Sequence, residues 1–116
     1  MIKLKRIYEK PERTDGKRIL VDRLWPRGVR KEEAHIDEWL KEIAPSDELR
    51  GWYGHKVERW KEFRKMYRAE LSKAPLNELV EQLRKEAKRY TVTLLFAATD
   101  SEHSNGVVLK ELLEKR

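Results

Sequence analysis

The sequence predicts an α/β fold, a small and mainly parallel sheet covered by helices in a three-layer sandwich. Two short apolar runs, Arg18–Leu24 and Thr91–Ala97, have the length and β-branched character of strands buried on both faces. Elsewhere, apolar residues recur three or four positions apart, the period of amphipathic helices. Their order, strands followed by helices and then a closing strand and helix, suits parallel strands joined through helices.

Ile2–Tyr8 mixes Ile2, Leu4, Ile7 and Tyr8 with basic residues and reads as an edge strand. Glu9–Lys17 contains Pro11 and the turn pair Asp15-Gly16, so a loop is expected there. In Arg18–Leu24 the unbroken run Ile19-Leu20-Val21 marks a central strand, which Trp25-Pro26-Arg27-Gly28 must end because proline lacks a ladder donor. Ile36, Trp39, Leu40 and Ile43 have helical spacing, although a short strand ending at Ala44-Pro45 fits as well. Ser46 is placed to cap a short helix, with Asp47 and Glu48 in its first turn, Leu49, Trp52 and Tyr53 on its apolar side and Gly54 at its end.

From Lys56 to Lys73, Val57, Trp60, Phe63, Tyr67 and Leu71 mark one face of a long helix. Pro75 suits the first position of another, which runs to about Tyr90 with Leu76, Leu79, Val80, Leu83 and Ala87 inward. Thr91–Ala97 is the second central strand. Asp100-Ser101 then supplies cap chemistry for a last helix with a stripe of Val108, Leu109, Leu112 and Leu113, and Lys115 and Arg116 suit its C-terminal end.

A chain of 116 residues has room for one core, so residues 1–116 are read as a single domain. Hydrophobic residues make up 39% and charged residues 41%, which predicts a thin core under a densely ionic surface. One Gln and two Asn among many Lys, Arg and Glu give the composition a thermophilic cast. Cysteine is absent, which excludes disulfides, cysteine-zinc sites and thiol nucleophiles. No apolar run is long enough to span a membrane, and the opening MIKLKRIYEK lacks the apolar segment of a signal peptide, so a cytoplasmic location is expected. The net charge of +6 favours an anionic partner, unless the lysines serve solubility alone.

Asp15-Gly16 through Asp22-Arg23-Leu24-Trp25-Pro26-Arg27-Gly28, then Trp39 to Ser46, Leu49-Arg50-Gly51-Trp52-Tyr53, Trp60-Lys61-Glu62-Phe63, Thr93 to Ala98 and Asp100 to Asn105 form a dense set of motifs. From about residue 15 onward the chain resembles the YeaO-like family, whose function is unknown. The resemblance implies a strand rather than a helix at Asp37–Ala44. It also implies that longer relatives carry a helix between the first two strands and a Cys or second His near Ser104-Asn105, neither of which this sequence has.

In parallel sheets ligands bind beyond the carboxyl ends of the strands. Here those ends are Asp22 to Gly28 and Ala98 to His103. Arg23 and Arg27 offer paired donors to a phosphate or carboxylate, and Trp25 offers a flat face beside them. The competing account is a buried Asp22–Arg23 pair with Trp25 in the core. His103, expected in the first turn of the last helix, is a candidate catalytic base or phosphate donor with Asp100 orienting it, and Asn105 completes the set. Asp100 is equally accounted for as a helix cap. Asp22, Asp100 and His103 have the chemistry of a Mg, Mn or Fe site, but their spacing does not require a metal, and the cofactor is left unknown.

His35 and His55 sit in polar surroundings and read as surface residues. No Gly-rich phosphate loop, nucleophile elbow or His-Glu-x-x-His motif occurs. The expected partner is therefore a small anionic ligand, with catalysis open. The alternatives are nucleic-acid binding through Trp39, Trp52, Trp60, Tyr53 and Tyr67 among basic residues, or a regulatory partner-binding domain.

Overall fold

The structure, a computed structural model, describes residues 1–115. The expected role of Arg116 at the last helix lies outside the described residues. Four strands, β1 (Ile2–Arg6), β2 (Lys17–Leu20), β3 (Glu38–Trp39) and β4 (Val92–Phe96), form one sheet in the order β1-β4-β2-β3. Every pairing is parallel, with Leu94 of β4 opposite both Leu4 and Ile19. All five residues of β4 are buried, as expected of a strand with a neighbour on each side and cover on both faces.

The expected central strand at Arg18–Leu24 is shorter than its apolar run suggests, ending at Leu20. The Val21 amide still donates to the Leu95 carbonyl at 3.0 Å, and the chain then turns away at Asp22. The helical spacing of Ile36 to Ile43 does not produce a helix. Asp37 donates its amide to the Arg18 carbonyl and Leu40 donates to the Leu20 carbonyl, bracketing β3, and Lys41–Ile43 then forms a single 3-10 turn. An open strand edge offers those amides partners that periodicity alone does not register.

Alternation along the strands builds two unequal layers. Ile2, Ile19, Val21, Val92 and Leu94 meet a large core supplied by α2 (Asp47–Tyr53), α3 (Trp60–Leu71), α4 (Leu76–Arg89) and α5 (Asn105–Glu114). Ile7, Leu20 and Leu95 form a smaller cluster with Ala34, under loops and the short helix α1 (Lys31–Ala34). The Glu9–Lys17 loop crosses this thinner face and contains a 3-10 turn at Arg13–Asp15.

An ionic hub anchors that loop. Asp15 is fully buried and accepts from Lys3 at 3.3 Å, Lys5 at 3.1 Å and Arg18 at 2.5 Å, as well as from the Glu12 amide at 3.0 Å. Burial alone would raise its pKa, but the Glu12 amide and these three cations outweigh it and hold the carboxyl well below the usual range. Gly16 follows at φ +63°, and a Cβ there would stand 2.2 Å from the Thr91 carbonyl oxygen, so only glycine fits.

The caps set the helix boundaries. Ser46 Oγ accepts from the Leu49 amide at 3.2 Å and donates to Glu70 at 2.5 Å, and Gly54, at φ +51°, closes α2 as expected. The long helix expected from Lys56 starts at Trp60 after a 3-10 turn over Val57–Arg59, and Pro75 sits just before α4 rather than inside it. Among the described residues, no helix is long and apolar enough to cross a membrane.

Candidate functional site

Because β2 and β4 are parallel neighbours, the segments that follow them leave the same edge of the sheet. Between these segments lies a cleft of about 770 Å³ whose lining includes Asp22 to Arg27, Ala97 to Asp100 and His103 to Asn105. The sequence-predicted residues Arg23, Trp25, Arg27, Asp100, His103 and Asn105 all line it. Tyr8, Arg50, Tyr53 and His55 complete the walls.

The two arginines differ in what they hold. Arg23 donates through Nε and Nη2 to the Ala44 and Pro45 carbonyls and lies 3.6 Å from the Asp47 carboxylate, so it staples the β3–α2 connection. The Asp22–Arg23 pair of the competing account does not form among the described residues. Arg27 is exposed, and among the described residues its guanidinium has no hydrogen bond or ion pair, although its carbonyl accepts from the Tyr8 hydroxyl at 2.9 Å. Trp25 donates Nε1 to the Val29 carbonyl at 2.8 Å and meets Trp39 edge-on at 5.4 Å, which fixes its ring as a wall.

His103 is not in the first turn of the last helix, because α5 begins at Asn105. Asp100 closes a tight turn instead, its Oδ1 accepting from the amides of Glu102 and His103. Its Oδ2 lies 2.8 Å from His103 Nδ1, so the carboxylate does orient the imidazole. In the neutral tautomer, Nδ1 donates to Asp100 and Nε2 is left as an acceptor. The hydrogen bond with His103 holds the Asp100 carboxyl below its ordinary range. Trp60 packs edge-on against the imidazole at 5.2 Å, and the Tyr53 hydroxyl donates to the His103 carbonyl.

Asp22 forms the floor. Its Oδ2 accepts from the Ala97 amide at 2.8 Å, tying the end of β2 to the end of β4, while Asn105 donates Nδ2 to the neighbouring Val21 carbonyl at 2.9 Å. Burial pushes the Asp22 carboxyl up, against the lowering effect of the Ala97 amide and the Asn105 side chain. Among the described residues, no group of three or more His, Asp or Glu side chains is placed to hold a metal ion.

His55, read from the sequence as an ordinary surface residue, is exposed but stands on the cleft wall at φ +58°, a conformation uncommon outside glycine. No local signal marks it, though the Arg50 to Tyr53 motif just before it does point to this wall. Of the aromatic residues considered for base stacking, Tyr53 and Tyr67 are buried, Trp39 and Trp60 are partly buried, and Trp52 is exposed beneath Arg59.

The family model described as the inactive DUF488-N3 subclade matches residues 1–116. The chain belongs to this family. It is 43% identical to the uncharacterised protein YeaO of Escherichia coli over 112 residues, which is 97% of this chain and 96% of that protein. It is 40% identical to an uncharacterised protein of Mycobacterium tuberculosis over 115 residues, covering 99% of this chain and 95% of the relative. No solved structure matches. The family match thus spans the whole chain, including β1, which the motifs from residue 15 onward left out.

Proposed function

We propose that the cleft binds a small organic anion carrying a phosphate or carboxylate, as a recognition site without turnover. The observation that carries this reading is the unpaired Arg27 guanidinium on the lining of a cleft that also exposes the oriented His103 imidazole. Arg27 would grip the anion with two N–H donors, with the imidazole of His103 beside it. Trp25 and Tyr53 would exclude water from one side. The family description as inactive favours binding over catalysis by the Asp100–His103 pair.

Differential scanning fluorimetry against sugar phosphates, nucleotides and carboxylic acids tests the proposal, followed by titration calorimetry of any hit. A ligand at about a hundred times its Kd adds about 2.7 kcal/mol to stability, which raises the melting temperature by about 10 °C in a domain of this size. Arg27→Ala is expected to weaken such binding at least about tenfold, the loss of one charge-assisted pair. A panel without a hit, or a hit that Arg27→Ala leaves intact, would overturn the reading.

A further inference from the structure

An acidic floor is an unexpected part of a cleft that takes anions. Asp22 uses Oδ2 to hold the Ala97 amide, a task that a neutral Asn would perform without placing a charge at a desolvated site. Its Oδ1 makes no close hydrogen bond among the described residues; the Asn105 amide, which gives one N–H to the Val21 carbonyl, stands near enough to lower the Asp22 pKa. Nor is Oδ1 among the side-chain oxygens shut off from solvent without a partner, so it opens onto the cleft that Asp22 lines. The cleft therefore has two poles, a free guanidinium at Arg27 and a free carboxylate oxygen at Asp22.

A bare anion satisfies the first pole and is repelled by the second. A ligand ammonium would suit Asp22 but would face Arg23, Arg27, Arg50 and His55 around the same cleft. A neutral donor satisfies both conditions, and a hydroxyl group supplies one to the carboxylate without adding charge. We propose that Asp22 Oδ1 accepts hydrogen bonds from hydroxyl groups of the bound anion, so that the ligand class is polyhydroxylated phosphates or carboxylates. This assignment rests on the anion-binding reading above and adds a specificity-determining residue to it.

The test compares ribitol 5-phosphate with n-pentyl phosphate, matched in carbon chain and anionic group, on the wild-type chain and on Asp22→Asn. Asn keeps an oxygen for the Ala97 amide and replaces the open carboxylate oxygen with an NH₂ group. The wild type is expected to bind the polyol phosphate at least about tenfold more tightly, and Asp22→Asn to reduce that preference to about threefold or less. Should the variant fail to fold, amide chemical shifts of the wild type supply the answer. Ribitol 5-phosphate should move the Ala97 resonance, and n-pentyl phosphate should leave it in place. Equal affinity for the two phosphates, or a preference that persists in Asp22→Asn, overturns the role of Asp22 while leaving anion binding intact. Failure of both phosphates to bind overturns this inference, and together with an empty ligand panel it overturns the anion-binding reading as well.

Discussion

Replacing Asp15 with Asn removes the one carboxylate shared by Lys3, Lys5 and Arg18. Lys5 and Arg18 are 8% and 4% exposed, so neither cation can turn to water when its partner is lost. Lys5 keeps Glu12, and Arg18 keeps the Ala34 and His35 carbonyls, so the hub is weakened rather than emptied. Breaking a buried pair from one side costs about 3–5 kcal/mol, and the single loop covering this hub argues for the lower end, about 3 kcal/mol. At about 4 °C per kcal/mol for a chain of this length, the melting temperature should fall by about 12 °C.

Acid titration provides a second readout. Asp15 is held below its unfolded pKa, so its contribution is complete above the ordinary carboxylate range and is lost as pH falls through the folded value. Below about pH 4 the wild type should therefore lose up to about 1.4 kcal/mol per pH unit more than Asp15→Asn. Thermal melts followed by circular dichroism between pH 7 and pH 2 measure both effects, with Asp47→Asn as the exposed control. A drop under about 4 °C at pH 7, or parallel acid profiles for the two proteins, would refute the reasoning.

Gly16→Ala places a methyl group against the Thr91 backbone at positive φ and should lower the melting temperature by more than about 10 °C, if it folds at all. Tyr67→Phe deletes the hydroxyl that donates to the Ile43 carbonyl at 2.5 Å in a fully buried setting, for a cost of about 1–2 kcal/mol in urea denaturation. Ser46→Ala removes the cap of α2 and one partner of Glu70, a loss of about 1 kcal/mol by the same measurement. Asp22→Asn should melt above the wild type at pH 7. Burial raises the Asp22 pKa, so the wild type gains relative stability as pH falls through that value, and the difference should close in acid.

The parts of the fold legible in the sequence are those set by local chemistry. β4 is announced by Thr91–Ala97, α2 by its Ser46 cap, and α3 and α4 by apolar stripes ending at Leu71 and Ala87. At Ile36 to Ile43 the spacing leaves helix and strand both open, because what decides for the extended Glu38–Trp39 is pairing with the edge of β2, a partner distant in sequence. The start of α5 was misplaced because Asp100 caps a turn with the same side-chain bond that would cap a helix. Parallel pairing of β2 with β4 brought the six predicted cleft residues together, whereas the commitment of Arg23 to two carbonyls depends on where the β3–α2 connection passes. The ionic hub was illegible for a related reason. Asp15 reads as half of a turn pair, and nothing local shows that two strands will aim their cations at it.

The strand order β1-β4-β2-β3 makes β4 a keystone. β1 and β2, near one another at the start of the chain, share no hydrogen-bonded ladder, and each pairs with a strand near the other end. On the ribosome, residues 2–6 and 17–20 emerge long before Val92, and the only ladder available until then is the two-residue pairing of β2 with β3. Assembly of the sheet thus waits until Val92 to Phe96 have emerged, when one buried segment slots between two waiting edges. The same insertion brings Ala97 to Asp22 and closes the floor of the cleft, so the cleft and the sheet come into being in a single event.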